Sequence, residues 1–234
     1  MATDCYQKKL RDKVVEGQVG SFINEIIALA QMNHENLVKF MGCCLETDAP
    51  ILVYELASNR TLFDYINLTN GKVKLPWNVL LKIASESAAA LAYIHSSSQE
   101  TAQNPLSMMG KCILRTLGYT DPGYLCSGQL TDKSDVYSFG VVLVEILSQE
   151  KPISFDRPES QRIIATHFVS SIELEDGFFR VVDPQHVNKG NHEQVRAVAE
   201  LAKRCLHMNS AERPLMKEVA EELKRLSGMC PTIV

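Results

Sequence analysis

The run Asp132-Lys133-Ser134-Asp135-Val136-Tyr137-Ser138-Phe139-Gly140-Val141-Val142-Leu143 opens a segment, 134–148, that is apolar almost all round. A helix with no polar stripe belongs at the centre of a domain, with other elements on every side. Amphipathic patterns flank it on both sides. Pro76 stands where a first helical residue should, and Leu80, Ile83, Ala84, Ser87, Leu91 and Ile94 follow at helical spacing to about 96. A second amphipathic helix is expected over 193–206. Pro214 opens a last one with Leu215, Val219, Leu223 and Leu226 inward. The stretches 96–128 and 150–159 carry no period and are expected to be irregular.

Upstream the texture changes. Residues 17–31 read as one helix with Phe22, Ile23, Ile26, Ile27 and Ala30 on a common face. Two short apolar runs, 37–45 and 51–56, are separated by Asp48-Ala49-Pro50, which reads as a hairpin turn. Past Ala57 the strand signal disappears. A small strand-plus-helix lobe followed by a larger helical one is the expected outline.

Composition agrees with that size. The chain has 234 residues, 45% hydrophobic and 22% charged, enough for one large domain or two fused lobes. Its net charge of −4 offers no electrostatic basis for nucleic acid or an anionic membrane as the main partner. No apolar run approaches the length that crosses a bilayer, and residues 1–20 lack the apolar centre of a signal peptide. The 7 cysteines include no C-x-x-C pair, and no spaced Cys/His set suggests a metal. Reduced thiols are expected, with Cys43, Cys44 and Cys205 acting as small buried hydrophobes.

The order of these elements is that of a protein kinase, and local sequences carry the resemblance. The 132–143 run resembles the central large-lobe helix of plant receptor-like kinases. Gly42-Cys43-Cys44-Leu45-Glu46, Leu52-Val53-Tyr54-Glu55 and Thr116-Leu117-Gly118-Tyr119 with Asp121-Pro122 match the same group. Phe22-Ile23-Asn24-Glu25 and Val198-Ala199-Glu200-Leu201-Ala202-Lys203-Arg204-Cys205-Leu206 narrow it to the wall-associated receptor kinases. The likeness runs from Lys8 to Leu226 with one large gap. It implies an α+β, protein-kinase-like fold. The first lobe, 1–57, is reduced to a few strands plus one helix. The second, 58–228, is mainly helical and lacks the catalytic segment, and 229–234 form a tail.

Kinases use ATP and magnesium, and the parts that handle them are checkable one by one. No Gly-x-Gly occurs anywhere, so the loop that covers the phosphates is absent. The resemblance places Lys8, Glu25, Glu55 and Ala57 around what is left of an ATP site. Lys8 aligns with the phosphate-binding lysine, but Asp4, Cys5, Tyr6 and Gln7 beside it are too polar for a buried strand, which predicts a frayed terminus. Glu25 aligns with the helix glutamate and reads equally as paired or as a surface residue. The family's catalytic His-Arg-Asp, metal-binding Asn and Asp-Phe-Gly would fall between His95 and Thr116. That interval, 96–115, contains no Asp and no His. Glu100 and Asn104 are the only stand-ins, and both read as solvated loop residues.

Other matches fail in the same way. Asp176-Gly177-Phe178 has the letters of the magnesium motif in the wrong order and place, and His34 sits in a turn where the family has a structural His-x-Asn. No nucleophile elbow, zinc-protease helix or P-loop is present. Thr116 matches the substrate-contacting threonine, though the aspartate it would touch is gone. Asp135 and Arg213 match structural anchors. The resemblance implies that Arg213 pairs with a glutamate whose position is Gly123, so Arg213 is expected to lack its carboxylate. Asp135 is expected to lose the loop it would normally hold. No catalytic or metal residue is assigned, and neither ATP nor magnesium is expected to bind.

Three readings remain open: a catalytically dead kinase-fold protein acting through protein contacts, a Ser/Thr kinase with unrecognised substitutes, or a truncated product with no function of its own. The first implies other proteins as partners, receptor-like kinases among them, in the cytoplasm or at the inner face of the plasma membrane. Loss of the catalytic segment also predicts bare apolar surface over 83–91 or 136–143, and hence self-association.

Overall fold

The computed structural model describes residues 5–9, 19–46, 50–57, 61–66, 75–100, 118–174 and 176–229. These fall into two compact units, 1–59 with 93–109, and 60–92 with 110–234.

The first unit holds a three-stranded antiparallel sheet in the order β1-β3-β2, with β1 at Cys5–Lys9, β2 at Phe40–Cys44 and β3 at Ile51–Glu55. β1 lies with Lys8 opposite Leu52, and β2 pairs with β3 across a register shift between Phe40 and Gly42. The segment expected to fray therefore pairs as an edge strand. Edge strands tolerate polar residues because one of their sides is not enclosed by the sheet. Helix α1, Val19–Gln31, packs on β2. Its core side is Ile26 and Leu29, meeting Leu52, Phe40 and Tyr54. Ile23, Ile27 and Ala30, expected on that same face, are exposed instead. Cys43 is exposed and Cys44 half-buried, against the expectation of burial; Cys43, Cys44, Cys126 and Cys205 are free thiols.

The helical unit is built around α5, Asp132–Ser148, following α2 (Leu62–Ile66), α3 (Trp77–Glu100) and α4 (Pro122–Ser127). After it come α6 (Ile164–Ile172), α7 (Gly177–Val181), α8 (His192–Cys205) and α9 (Met216–Gly228). α5 is enclosed by α8, α6 and α9. Gly140 makes the closest approach, since a Cβ there would stand 2.8 Å from Cys205 Cβ. Val136, Tyr137, Phe139, Val141 and Leu143 are all buried and Ile83 and Leu91 half-buried, so the surface expected to lie bare on the central helix is covered.

Helix α4 forms inside the stretch 96–128 that was expected to be irregular, and two boundaries shift from the sequence reading in ways that change which residues are buried or helical. Helix α3 continues past 96 to Glu100; Ser96 and Ser97 donate their hydroxyls back to Tyr93 O at 2.8 and 2.9 Å, and this back-bonding does not end the helix. Leu215, expected inward, is exposed and precedes α9; its N–H donates to Glu218 Oε2 at 2.7 Å.

Candidate functional site

Within the first unit, Lys8 is carried by β1 and Glu25 by α1; their side chains lie outside the described set. Glu55 ends β3, half-buried, with its N–H donated to Lys39 O at 2.9 Å. Ala57 follows in the open. His34 is a turn residue: its Nδ1 accepts from the Asn36 N–H at 3.1 Å, and its ring lies 5.3 Å from that of Tyr93. Tyr93 in turn accepts the Asn33 N–H at 3.2 Å. Glu100 is the last residue of α3, while Asn104 and Thr116 lie outside the described residues.

The helical unit contains the best-defined polar constellation, and it gathers around Arg213. This side chain is fully buried. Its Nη1 and Nη2 donate to Asp121 Oδ2 and Oδ1, both at 2.8 Å, and its Nε donates to His207 O at 2.7 Å. Nη1 also reaches Lys133 O at 2.9 Å, Nη2 is 3.4 Å from Met208 O, and the guanidinium lies 5.0 Å from the Tyr137 ring centroid. Lys133 Nζ donates to Arg213 O. The expectation of an arginine without a carboxylate is thus overturned, because Asp121 takes the place that Gly123 cannot fill. The signal was available in the sequence: an Asp before Pro122 reads as a helix N-cap, with Pro at the first position. Asp121 caps α4, accepting the Gly123 N–H at 2.9 Å. What the sequence could not reveal is that the same carboxylate faces a residue 92 positions away.

Burial alone would raise the pKa of Asp121. Hydrogen bonds from Arg213, the Gly123 N–H and Ser134, with the charge of Arg213, outweigh it and hold the carboxyl below the usual carboxylate value. Burial likewise pushes the Cys205 thiol up to about 12, so it is an inert packing residue and not a nucleophile. Further along, Tyr119 donates its hydroxyl to Glu145 Oε2 at 2.5 Å, and Ser138 Oγ donates to Tyr119 O at 2.9 Å. Burial, then that hydrogen bond and the Glu145 charge, raise the Tyr119 phenol above its ordinary value. Gly118, at φ +101°, comes close enough to Pro152 that a Cβ would stand 2.9 Å from Pro152 Cβ. Residues 118–121 are thereby pinned to α5 and to the turn before α9. Asp135 is half-buried in the first turn of α5.

None of this is phosphate chemistry. Among the described residues no group of three or more His, Cys, Asp or Glu side chains could hold a metal ion. Asp176 and Phe178 of the reversed motif are structural: Asp176 is left-handed at φ 59° and Phe178 is buried. The interval 96–115 contains no Asp. Among the described residues no helix is long and apolar enough to cross a membrane.

The chain matches the protein tyrosine and serine/threonine kinase family over residues 2–102 and 99–223. The two matched stretches meet at 99–102, inside the interval without Asp or His. Wall-associated receptor kinase-like 1 of Arabidopsis thaliana is 41% identical over 246 residues, 92% of this chain and 34% of that protein. Wall-associated receptor kinase 3 of the same plant is 40% identical over 238 residues, 89% of this chain and 32% of its own length. The chain spans about a third of the curated relatives it matches. A two-part kinase match over nearly the whole sequence, on a small sheet lobe followed by a helical bundle, places the chain in the protein tyrosine and serine/threonine kinase family, related to the wall-associated receptor kinases.

Proposed function

We propose that this chain is a kinase-fold protein without phosphotransfer activity that acts through contacts with other proteins, receptor-like kinases among them, in signalling. The carrying observation is the interval 96–115. It holds neither Asp nor His, while the kinase match continues on both sides of it. Most of a kinase's rate comes from positioning and charge stabilisation by the metal, its aspartate and the catalytic aspartate, and no residue of the interval replaces them. The same reasoning gives no ATP or magnesium requirement, and the reading keeps the lobes of the resemblance, 1–57 and 58–228 with a short tail. The chain would work in the cytoplasm, reaching the inner face of the plasma membrane through its partners.

Purified protein should therefore transfer no radiolabel from ATP to a generic basic substrate or to itself. Transfer above that of a variant altered at Glu100 and Asn104 would refute the reading. Millimolar ATP with magnesium should leave the melting temperature unchanged. A ligand held at 100 times its dissociation constant stabilises by about 2.7 kcal/mol, several degrees for a chain of this size, so retained binding would be plainly visible.

A further inference from the structure

The outer face of α6 is a stripe with unlike ends. Ile164, Ala165, Phe168 and Ser171 are the buried side of this helix, which turns Ile163, Thr166, Ser170 and Leu174 outward at a spacing of three to four residues. Ile163 is 46% and Leu174 57% exposed. Between them the side chains are short, and the Ser170 hydroxyl is already donated to His167 O at 3.0 Å. That leaves room for a second helix to come close.

The two ends carry opposite charges that the chain does not pair. At the first, the Arg162 guanidinium lies 5.8 Å from the ring centroid of Phe155, which is 70% exposed. Arg162 Nε is buried without a hydrogen-bond partner, and among the described residues no carboxylate pairs with this arginine. Glu150 is taken by Arg157 at 2.8 Å, and Asp156 and Glu159 make no pair with Arg162. At the far end Asp176 is exposed and has no ion pair among the described residues, while Glu173 is held by Lys203 at 3.2 Å. Both ends are fixed by main chain. Ser154 N–H donates to Arg162 O at 3.1 Å and Ile164 N–H to Pro152 O at 2.9 Å; the Leu174 and Gly177 N–H groups donate to Ser171 O and Leu174 O. A half-buried guanidinium without a carboxylate is costly, and an anion brought by a second molecule offsets that cost.

We propose that this face joins two copies of the chain, with their α6 helices antiparallel about a twofold axis. The occupant follows from self-complementarity, since an isologous contact requires one patch to fit itself. Turning the stripe end for end sets each Arg162 against the second copy's Asp176, and each Phe155 and Ile163 against the second copy's Leu174. α6 has 9 residues and is about 14 Å long, so both sets of contacts form along one short face. A partner of a single charge would satisfy one end only. The dimer holds whether or not the chain transfers phosphate.

Sedimentation of the full chain at neutral pH tests this, with thermal melts to check folding. The parent should be a monomer–dimer mixture whose dimer weakens as salt rises. R162E and D176K should each weaken the dimer about 10-fold or more, because each sets like charges against one another at both ends of the contact. Mixed in equal amounts, the two variants should regain the parent affinity. The reversed charge of one copy then meets the reversed charge of the other, and the unaltered Arg162 meets the unaltered Asp176. F155S, altered at an exposed side chain, should also weaken the dimer and stands in for either charge variant that fails to fold. A parent that stays monomeric to high micromolar concentration overturns the proposal. So does a dimer indifferent to these substitutions, a mixture that fails to recover, or assembly that grows beyond two copies.

Discussion

Replacing Arg213 by Ala should destabilise the helical unit by about 3–5 kcal/mol at neutral pH, the cost of leaving one member of a buried pair uncompensated. The Asp121 carboxylate would stay enclosed with only the Gly123 N–H and Ser134 to hold it, and the His207 carbonyl would lose the Nε donor. The pH dependence gives the mechanism away. In the parent chain Asp121 has its carboxyl held below the ordinary value of 3.8. Its contribution is therefore complete above that value and fades as pH falls through the lower, folded-state one. In the variant the cation is gone and burial raises the same carboxyl, so its penalty is relieved as pH falls. Denaturant melts of parent and R213A should thus differ most near pH 7 and converge toward pH 3. A pH-independent gap would assign the loss to packing alone. Because a dry pair replaced whole by apolar residues is often near neutral, D121L/R213M should recover much of what R213A loses.

Gly177→Ala should cost about 3 kcal/mol or more, at the top of the range for overpacking. A Cβ at 177 would lie 1.7 Å from Ser171 O and 2.7 Å from Ser171 C, an overlap with main chain that no rotamer change can relieve. The Gly177 N–H donates to Leu174 O at 2.9 Å and Leu174 N–H to Ser171 O at 3.0 Å, so the turn between α6 and α7 is tied on both sides of the clash. Moving it would drag Phe178 out of the core, where it is buried with Val181 and Val182. The melting midpoint of G177A should fall by many degrees, and a fall of less than about two degrees would mean that the turn is looser than its hydrogen bonds imply.

How much of this was legible before folding depends on the range of the interaction concerned. The 134–148 pattern placed the central helix correctly, since an element apolar on all sides can only be buried. The α3, α8 and α9 patterns likewise placed their helices from their own period, though not the end of α3 or the side of Leu215. The polar strand Cys5–Lys9 was misread because its composition is set by being an edge, and edge position is a property of the sheet. Ile23 and Ile27 were misassigned for a related reason. A helix with apolar residues on more than half its circumference does not say which of them its neighbour will cover. The bare surface expected on the central helix did not materialise, since α8, α6 and α9 enclose it.

The sequence by itself determined the family and the lack of Asp and His in 96–115, because a motif is a matter of which residues stand at which spacing and no packing can add an aspartate to that interval. It also determined that Arg213 would be present with no glutamate at 123. Only the tertiary structure decided what Arg213 does instead. It brought Asp121, 92 residues away, within 2.8 Å of the guanidinium, and so turned an apparent unpaired charge into the best-satisfied polar cluster of the helical unit. A buried cation takes whichever carboxylate the folded chain sets beside it, and that choice depends on distance in space, which the order of residues does not encode directly.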